Sequence, residues 1–277
     1  GVLDMSTNSN NGTMTNMTDT DVVYDFPRTM SDLQSGTEGT FFFDNSSDRV
    51  EIPNSADLTF TDGARNDEPF SITFSLNIGK AGNLGSVRNS KIIWKDGEFE
   101  ISGNNSGQIF IRLFTDASNY VDVRFTGEMT FSHLEINPPA TITISYNGDY
   151  ATDGIDAFTG TVNGSVATSK ILATTGTYTG MQNSGNDIWL GYTGEYNMCK
   201  VSFHNEVMSN CKVGELHNDG SPIDILDFTG LANVISHYRM NQTDDPTTIV
   251  TDVVGTNDGI PANMVAGDLE TGVYPTN

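Results

Sequence analysis

The chain has 277 residues, 36 Asp+Glu against 13 Lys+Arg for a formal net charge of −23, and only 36% apolar residues. Such a charge excludes a simple nucleic-acid binder, which needs a basic stripe, and disfavours docking on anionic lipid; no apolar run approaches the ~18 residues of a spanning helix, so no membrane insertion is expected. The 28 glycines and the wealth of Asn, Thr and Ser suit short strands and turns rather than a helical bundle, so the chain reads as all-β.

Strands are expected at Thr40–Asp44 and Arg49–Pro53 around an Asn-Ser-Ser turn. Pro69–Ile78 alternates Phe70, Ile72, Phe74, Leu76 and Ile78 with Ser, Thr and Asn, the pattern of a strand with one face on a core and one in water. Lys91–Lys95, Glu98–Ser102, Gln108–Phe114 and Tyr120–Phe125 repeat the pattern, with hairpin turns at Asp96-Gly97 and Asn104–Gly107. Thr141–Tyr146, Phe158–Val162, Ile188–Leu190 and Cys199–Phe203 supply the later strands. One short helix is expected at Cys211–Asn218, capped by Ser209 and ended by Gly220. Many short strands with one brief helix indicate a sandwich or jelly roll.

The two ends resemble each other: in Leu3–Met17 (LDMSTNSNNGTMTNM) and Thr251–Met264 (TDVVGTNDGIPANM) an Asp, a turn rich in Thr, Asn and Gly and an Asn-Met pair recur in the same order with one residue of slippage, followed by Asp21 and Pro27 and by Asp268 and Pro275. An internal repeat is the sharper reading of that order. The start at Gly1, without a charged and apolar leader pattern, reads as a processed end or as a piece of a longer or repeat protein. The division expected is residues 1–36 as a segment like the end of a preceding repeat, 37–230 as the jelly roll, and 231–277 as a closing or extending segment. Cys199 and Cys211 suit either one bridge or two free thiols.

Catalytic patterns are missing. Glu98-Phe-Glu100 is the nearest approach to a glycosidase carboxylate pair, and its acids are expected to face solvent opposite Phe99 and Ile101. No G-x-S-x-G elbow occurs, and His133, His204, His217 and His237 lack zinc-ligand spacing. The chain reads as a non-enzyme.

The segments Phe41–Gly63 (FFFDNSSDRVEIPNSADLTFTDG), KIIWKDGEFEIS, TITISYNGD (Thr141–Asp149), TVNGS (Thr161–Ser165) and Asn197–Ile225 resemble, in that order, the motifs of the concanavalin A-like (laminin-G-like) jelly-roll family. Cys199 and Lys200 stand where that family usually carries an acidic pair. The segments His237–Met264 and Asn10–Met17 are similar to a stretch that ends this domain in marine phage virion proteins. The resemblance implies an all-β antiparallel jelly-roll sandwich with one short helix. It also implies a non-enzymatic virion structural protein, such as a capsid decoration, knob or tail-fibre component. That protein would sit at the virion surface, with other virion proteins or copies of itself as partners and host-surface glycans as a contact. Terminal repeat segments would pair with a neighbouring copy. The alternative is a secreted, calcium-assisted lectin or adhesin module of a marine bacterium.

The family's rim calcium directs attention to loop oxygens at Asp44 and Asp48, ahead of Asn147, Asp149, Asp153 and Asp156, because a hard cation takes six to eight of them. Glycan contact calls for exposed rings beside polar groups. Tyr150, Tyr192 and Tyr196 are the first candidates, with Tyr120 and Tyr178 in similar turn-rich settings.

Overall fold

The computed structural model describes residues 39–44, 47–62, 64–78, 89–130, 140–217, 223, 225–241 and 244–271. The repeat-like segment 1–36 and His133 lie outside these residues. Within them the chain folds as an antiparallel jelly-roll sandwich of two eight-stranded sheets.

The first sheet contains β1 (Gly39–Asp44), β3 (Phe70–Asn77), β8 (Ala140–Tyr146), β9 (Phe158–Val162), β10 (Ser165–Val166), β13 (Glu195–His204), β14 (Val234–Tyr238) and β16 (Leu269–Thr271). Their order is β10-β9-β8-β3-β13-β1-β16, and β14 also pairs with β13. The second sheet runs β11-β7-β6-β5-β4-β12-β2-β15. Its members are β2 (Arg49–Ile52), β4 (Lys91–Lys95), β5 (Phe99–Gly103), β6 (Ile109–Asp116), β7 (Asn119–Thr126), β11 (Ser169–Thr175), β12 (Ile188–Gly191) and β15 (Ile260–Ala262). A one-turn helix α1 (Tyr150–Asp153) and a two-turn helix α2 (Asn210–His217) complete the regular structure. Ser209 Oγ accepts from the Lys212 amide at 3.4 Å, capping α2 as its sequence predicts.

Alternation explains the core. Phe41 and Phe43, Phe70 to Leu76 at every second position, Ile142 and Ile144, Phe99 and Ile101, Ile111 and Leu113, and Val121, Val123 and Phe125 all turn inward and are buried. The other face of β3 departs from expectation. Ser71, Thr73, Ser75 and Asn77 were expected in water, yet all eight residues of the strand are buried. The reason is a second apolar cluster, Met208, Val213, Leu216, Ile225, Phe228 and Val234, formed by α2, a residue ahead of it, the turns after it and the start of β14. Hydroxyl pairs make the buried polar face tolerable: Ser71 Oγ lies 2.7 Å from Ser145 Oγ and Thr73 Oγ1 2.9 Å from Thr143 Oγ1. Ser71 also donates to the Glu206 carbonyl and accepts from the Met208 amide, which ties this layer to the sheet.

Strands β10, β11 and β14–β16 carry no clear alternation in sequence. β11 (SKILATT) is a largely exposed edge held by pairing with β7, and β15 and β16 are three-residue edges on β2 and β1. Cys199 is buried and Cys211 exposed, and no disulfide joins them.

The ionisable side chains sealed inside include an ion pair and a histidine. Lys95 and Glu98, at the β4–β5 turn, form an ion pair at 3.0 Å with neither side chain exposed. Glu98 therefore points inward, correcting its expected solvent position, and Glu100 is also buried. The Lys95 ammonium donates further to the Leu58 carbonyl (2.9 Å) and Thr59 Oγ1 (2.8 Å). Burial lowers the Lys95 pKa and raises that of Glu98, each opposed by the partner's charge. The histidine is His204, on β13: its Nε2 is 3.0 Å from Ser202 Oγ and its ring stands edge-on to Phe228. Burial pulls its pKa down to about 4, with Glu206 acting against that shift and Lys212 with it.

Lys95→Ala, which strands a buried carboxylate, is expected to cost on the order of 3–5 kcal/mol in urea unfolding, and Lys95→Met combined with Glu98→Leu much less. For His204 the folded pKa of about 4 lies below the unfolded value near 6.5, so the unfolded chain binds the extra proton between them. Stability from this group is whole above pH 6.5 and drains as pH falls toward 4, by about 3 kcal/mol at most. His204→Gln should flatten that part of the acid limb when urea midpoints at pH 7 and pH 4.5 are compared with those of the native chain.

Candidate functional site

The outward face of the second sheet carries a group of aromatic and charged side chains. In β12 the apolar Ile188 and Leu190 turn into the core, which sends Trp189 outward; in β4, Ile93 and Lys95 do the same for Trp94. The register places Trp189 opposite Trp94. Their rings meet edge to face, with centroids 4.9 Å apart and planes at 87°. These are the chain's two tryptophans, and both are half-buried.

Tyr192 completes the cluster, 5.2 Å from Trp189 and 5.9 Å from Trp94 between centroids. Gly191 makes the turn that brings it there. Its φ is +87°, and a Cβ would fall 2.3 Å from the Phe43 ring, so no larger residue fits. Tyr192 itself sits at φ +143°, a region unfavourable for a side-chain-bearing residue and costing ~1–3 kcal/mol.

Pairing extends the cluster into one rank across the sheet. In register order it reads Ile260, Glu51, Trp189, Trp94, Glu100, Arg112, Asp122 and Ala173. Cations cover the rings: Lys91 Nζ lies 3.2 Å from the Trp94 centroid and the Arg49 guanidinium 4.4 Å from that of Trp189. The Arg112 guanidinium lies 4.5 Å from the Tyr120 centroid and 5.1 Å from that of Phe110. Each acid of the rank is engaged. Glu51 accepts from Arg49 Nε at 2.7 Å, Glu100 from Ser102 Oγ at 2.6 Å, and Asp122 from Arg112 at 2.9 Å and Arg124 at 3.3 Å. Burial lowers the Lys91 pKa, opposed by Glu100 and Asp96.

Of the tyrosines singled out from sequence, Tyr192 belongs to this cluster and Tyr120 lines the same face. Tyr196 does not: its ring is buried beside Phe43 and its hydroxyl donates to the Lys91 carbonyl at 3.0 Å, so the rim position expected for it is corrected. Tyr150 lies elsewhere, half-buried edge-on to Tyr178. Tyr178 and Tyr146 both donate to Asp67 Oδ2, at 2.6 and 2.7 Å, and burial with the Asp67 charge holds both phenols protonated. Trp94 and Trp189 were missed: Ile188 and Leu190 on either side mark Trp189 as outward-facing, whereas the buried Ile92 shares the parity of Trp94 across an irregularity in β4, so alternation alone does not place Trp94.

Asp44 and Asp48 flank the turn between β1 and β2. Asp44 is exposed, and its amide donates to Asp48 Oδ2 at 3.1 Å, so the buried Asp48 carboxylate braces the turn. The carboxylates of the 147–156 loop serve local contacts: Asp153 accepts from Asn147 at 2.6 Å, Asp149 from the Thr152 amide at 3.0 Å, and Asp156 from Lys170 at 3.3 Å. Among the described residues no three His, Cys, Asp or Glu side chains are grouped to hold a metal ion, and no helix is long and apolar enough to cross a membrane.

No protein-family model and no curated protein matches the chain. Among solved structures, the chain is similar to a candidate carbohydrate-binding protein from Bacteroides ovatus, with a TM-score of 0.56 at 12% identity over 85% of this chain and 60% of that one. It is more loosely similar to botulinum neurotoxin type C, whose cell uptake depends on two ganglioside molecules (TM-score 0.47, 16% identity, 65% of this chain and 42% of the other). A further likeness is to the botulinum neurotoxin DC binding domain in complex with rat synaptotagmin II (TM-score 0.47, 16% identity, 73% and 45%). The chain thus spans less than two thirds of each of these proteins. At such identities the first likeness shows the fold, a β-sandwich, and the two looser ones add nothing to it.

With both tryptophans on one face, acrylamide should quench their emission in the folded protein, and Trp94→Phe should remove about half of the quenchable signal. Steady-state fluorescence of the native chain and this variant checks the placement.

Proposed function

We propose that the protein is a non-enzymatic, glycan-contacting structural module at the surface of a virion, and that the outward face of its second sheet is the contact. The observation that carries the glycan reading is the Trp94–Trp189–Tyr192 cluster in line with Arg49–Glu51 on one side and Glu100–Arg112–Asp122 on the other. Sugar rings present an apolar face to stack on aromatic rings and a rim of hydroxyls to bond with guanidinium and carboxylate groups. The strands hold these groups in a fixed rank, so little order has to be imposed on binding. The carbohydrate-binding role assigned to the Bacteroides ovatus protein agrees with this reading. Glu51 is the half-exposed acceptor of the rank, whereas Glu100 and Asp122 are buried and bonded to Ser102, Arg112 and Arg124, so they hold the guanidinium groups in place rather than acting as the paired acid and nucleophile of a glycosidase.

The virion setting rests on the sequence likeness of His237–Met264 and Asn10–Met17 to marine phage virion proteins. Its partners there would be other virion proteins or further copies of the chain. A secreted lectin would use the same face in another setting. Mass photometry and negative-stain imaging of material from its native source separate the two. Fixed stoichiometry on particles supports the virion, and free monomer in secreted fractions overturns it.

On a glycan array followed by calorimetry, Trp189→Ala and Arg112→Ala should each weaken the best ligand about tenfold, the equivalent of about 1.4 kcal/mol, and Arg112→Ala should also lower the melting temperature, because it removes one of the two guanidinium groups on the buried Asp122. Binding should survive EDTA, because the face needs no metal. Loss of binding in EDTA, reproduced by Asp48→Asn, would move the site to a calcium ion at Asp44 and Asp48.

A further inference from the structure

Strand β11 (Ser169–Thr175) ends the second sheet, and none of the described residues pairs with its outer edge. At the other end of each sheet, β15 and β16, on either side of Asn263 at φ +63°, cover the β2 and β1 edges. The seven residues of β11 pair with β7 in unbroken register, from Ser169 opposite Thr126 to Thr175 opposite Tyr120. Both ends are fixed. Thr126 Oγ1 donates to the Ser169 carbonyl at 3.3 Å, and Asn119 Oδ1 accepts from the Thr177 amide at 2.9 Å. The edge is therefore regular and held in place.

Proteins guard such edges with charges, prolines or bulges. β11 has no proline and no bulge, and its one charge is occupied. The Lys170 ammonium donates to the Ile155 carbonyl (3.0 Å), the Phe158 carbonyl (2.8 Å) and Asp156 Oδ1 (3.3 Å), so it does not hold water over the edge. The strand instead shows Ile171, 47% exposed, on the outward face and Leu172, 39% exposed, on the other. With Val166 they make three of the eight large apolar side chains exposed among the described residues. Charge singles out the same place. Residues 157–186 contain no acid, and Lys170 is their one charge, in a chain with 36 acids among 277 residues. A molecule of net charge −23 repels its own copies, and two of them approach most readily along an edge without acids.

We propose that β11 is a self-pairing edge, which joins two copies of this chain antiparallel about a twofold axis at Leu172. A strand paired with its own copy in an antiparallel ladder sets residues of equal parity opposite one another, and only an axis at Leu172 engages all seven. Ser169 then faces the partner's Thr175, Lys170 the partner's Thr174, and Ile171 the partner's Ala173. The large Ile171 thus meets a small residue on the outward face. The two Leu172 side chains meet each other on the opposite face, continuing the apolar row that Val123 begins. Such a contact closes at two copies and leaves no edge for a third. A twofold axis normal to the sheet keeps both outward faces on one side, so two Trp94–Trp189 ranks share one continuous sheet. Bivalent glycan contact is the consequence, and it alone rests on the glycan reading.

Sedimentation velocity of the full chain tests the pairing without any sugar, so its failure and that of the glycan reading are distinguishable. The chain should show a monomer–dimer equilibrium with micromolar dissociation, as a small interface gives. Raising NaCl from about 0.01 M to about 0.15 M shortens the screening length from about 30 Å to about 8 Å and should tighten the dimer at least about threefold. Ile171→Glu, whose carboxylate has Arg124 opposite it in the monomer, should weaken the dimer at least about tenfold, whereas Ile249→Glu, the same charge at another exposed position, should change it less than about twofold. Register is read in chains that also carry Cys211→Ser. On mild oxidation Leu172→Cys should give a disulfide-linked dimer, because directly opposed Cβ atoms lie about 5 Å apart. Thr174→Cys, on the same face but about 13 Å from its copy, should not. A chain that stays monomeric at about 100 μM in about 0.15 M NaCl overturns the proposal. So do a dimer that salt weakens, an equal effect of the two Glu variants, or a crosslink at Leu172 no stronger than that at Thr174.

Discussion

The pairing of β12 between β4 and β2 is the constraint on which the proposed site depends. A strand shows alternate residues to opposite faces, so a slip of one residue at either junction would drive Trp189 or Trp94 into the core and bring Ile188 or Ile93 to the surface. Burial of Ile188, Leu190 and Ile93 opposes that slip. The same burial therefore aligns the tryptophans without any contact between them being needed to choose the register. The Lys95–Glu98 pair at the end of β4 adds a second lock, since a slip that turned Lys95 outward would take its ammonium from the Leu58 carbonyl and Thr59 hydroxyl it meets inside.

The two sheets use their outward faces differently, and side-chain size explains the difference. Sheet one presents Ser and Thr, short groups that bond one another across strands and leave room for α2 and the following turns to pack close. Sheet two presents Trp, Tyr, Phe and Arg, whose bulk keeps a backbone layer at a distance and whose polar tips prefer water. One face thus became an internal boundary, stabilised by hydroxyl pairs and an apolar cap. The other kept half-exposed rings under cations, the arrangement suited to a flat, hydroxyl-rimmed ligand.

The ends of the chain meet a related constraint. A sandwich has edge strands with unpaired backbone groups, which invite pairing with other chains unless they are covered. Here short pieces on either side of a left-handed Asn263 cover β2 and β1, and the loop before them is organised by Asp252. That carboxylate accepts from the amides of His237, Val254, Gly255 and Asn257 at 2.9–3.2 Å. The acid-rich, glycine-rich character of this stretch is thus local architecture, and it accounts for a part of the chain's acidity that has no bearing on partners.

From sequence alone, the strands with a strong two-residue period, β1 to β9 and β12 to β13, were legible because inward apolar residues leave their mark at every second position. The hairpin turns at Gly97 and Asn104–Gly107 and the Ser209 cap were legible as well, since they depend on neighbours within four residues. The edges β10, β11, β15 and β16 were not, because their pairing is dictated by the strand beside them rather than by their own pattern. Tyr196 was misplaced at the rim for a similar reason: a tyrosine in a turn-rich stretch looks the same whether its hydroxyl reaches water or the Lys91 carbonyl. Composition and periodicity by themselves determined an acidic all-β sandwich. Only the tertiary structure decided that Trp94 and Trp189 stand opposite one another, that the Ser/Thr face of β3 is covered, and that Glu98 is sealed against Lys95. Each of these depends on which strands become neighbours across many residues of chain, and local sequence carries no record of that choice.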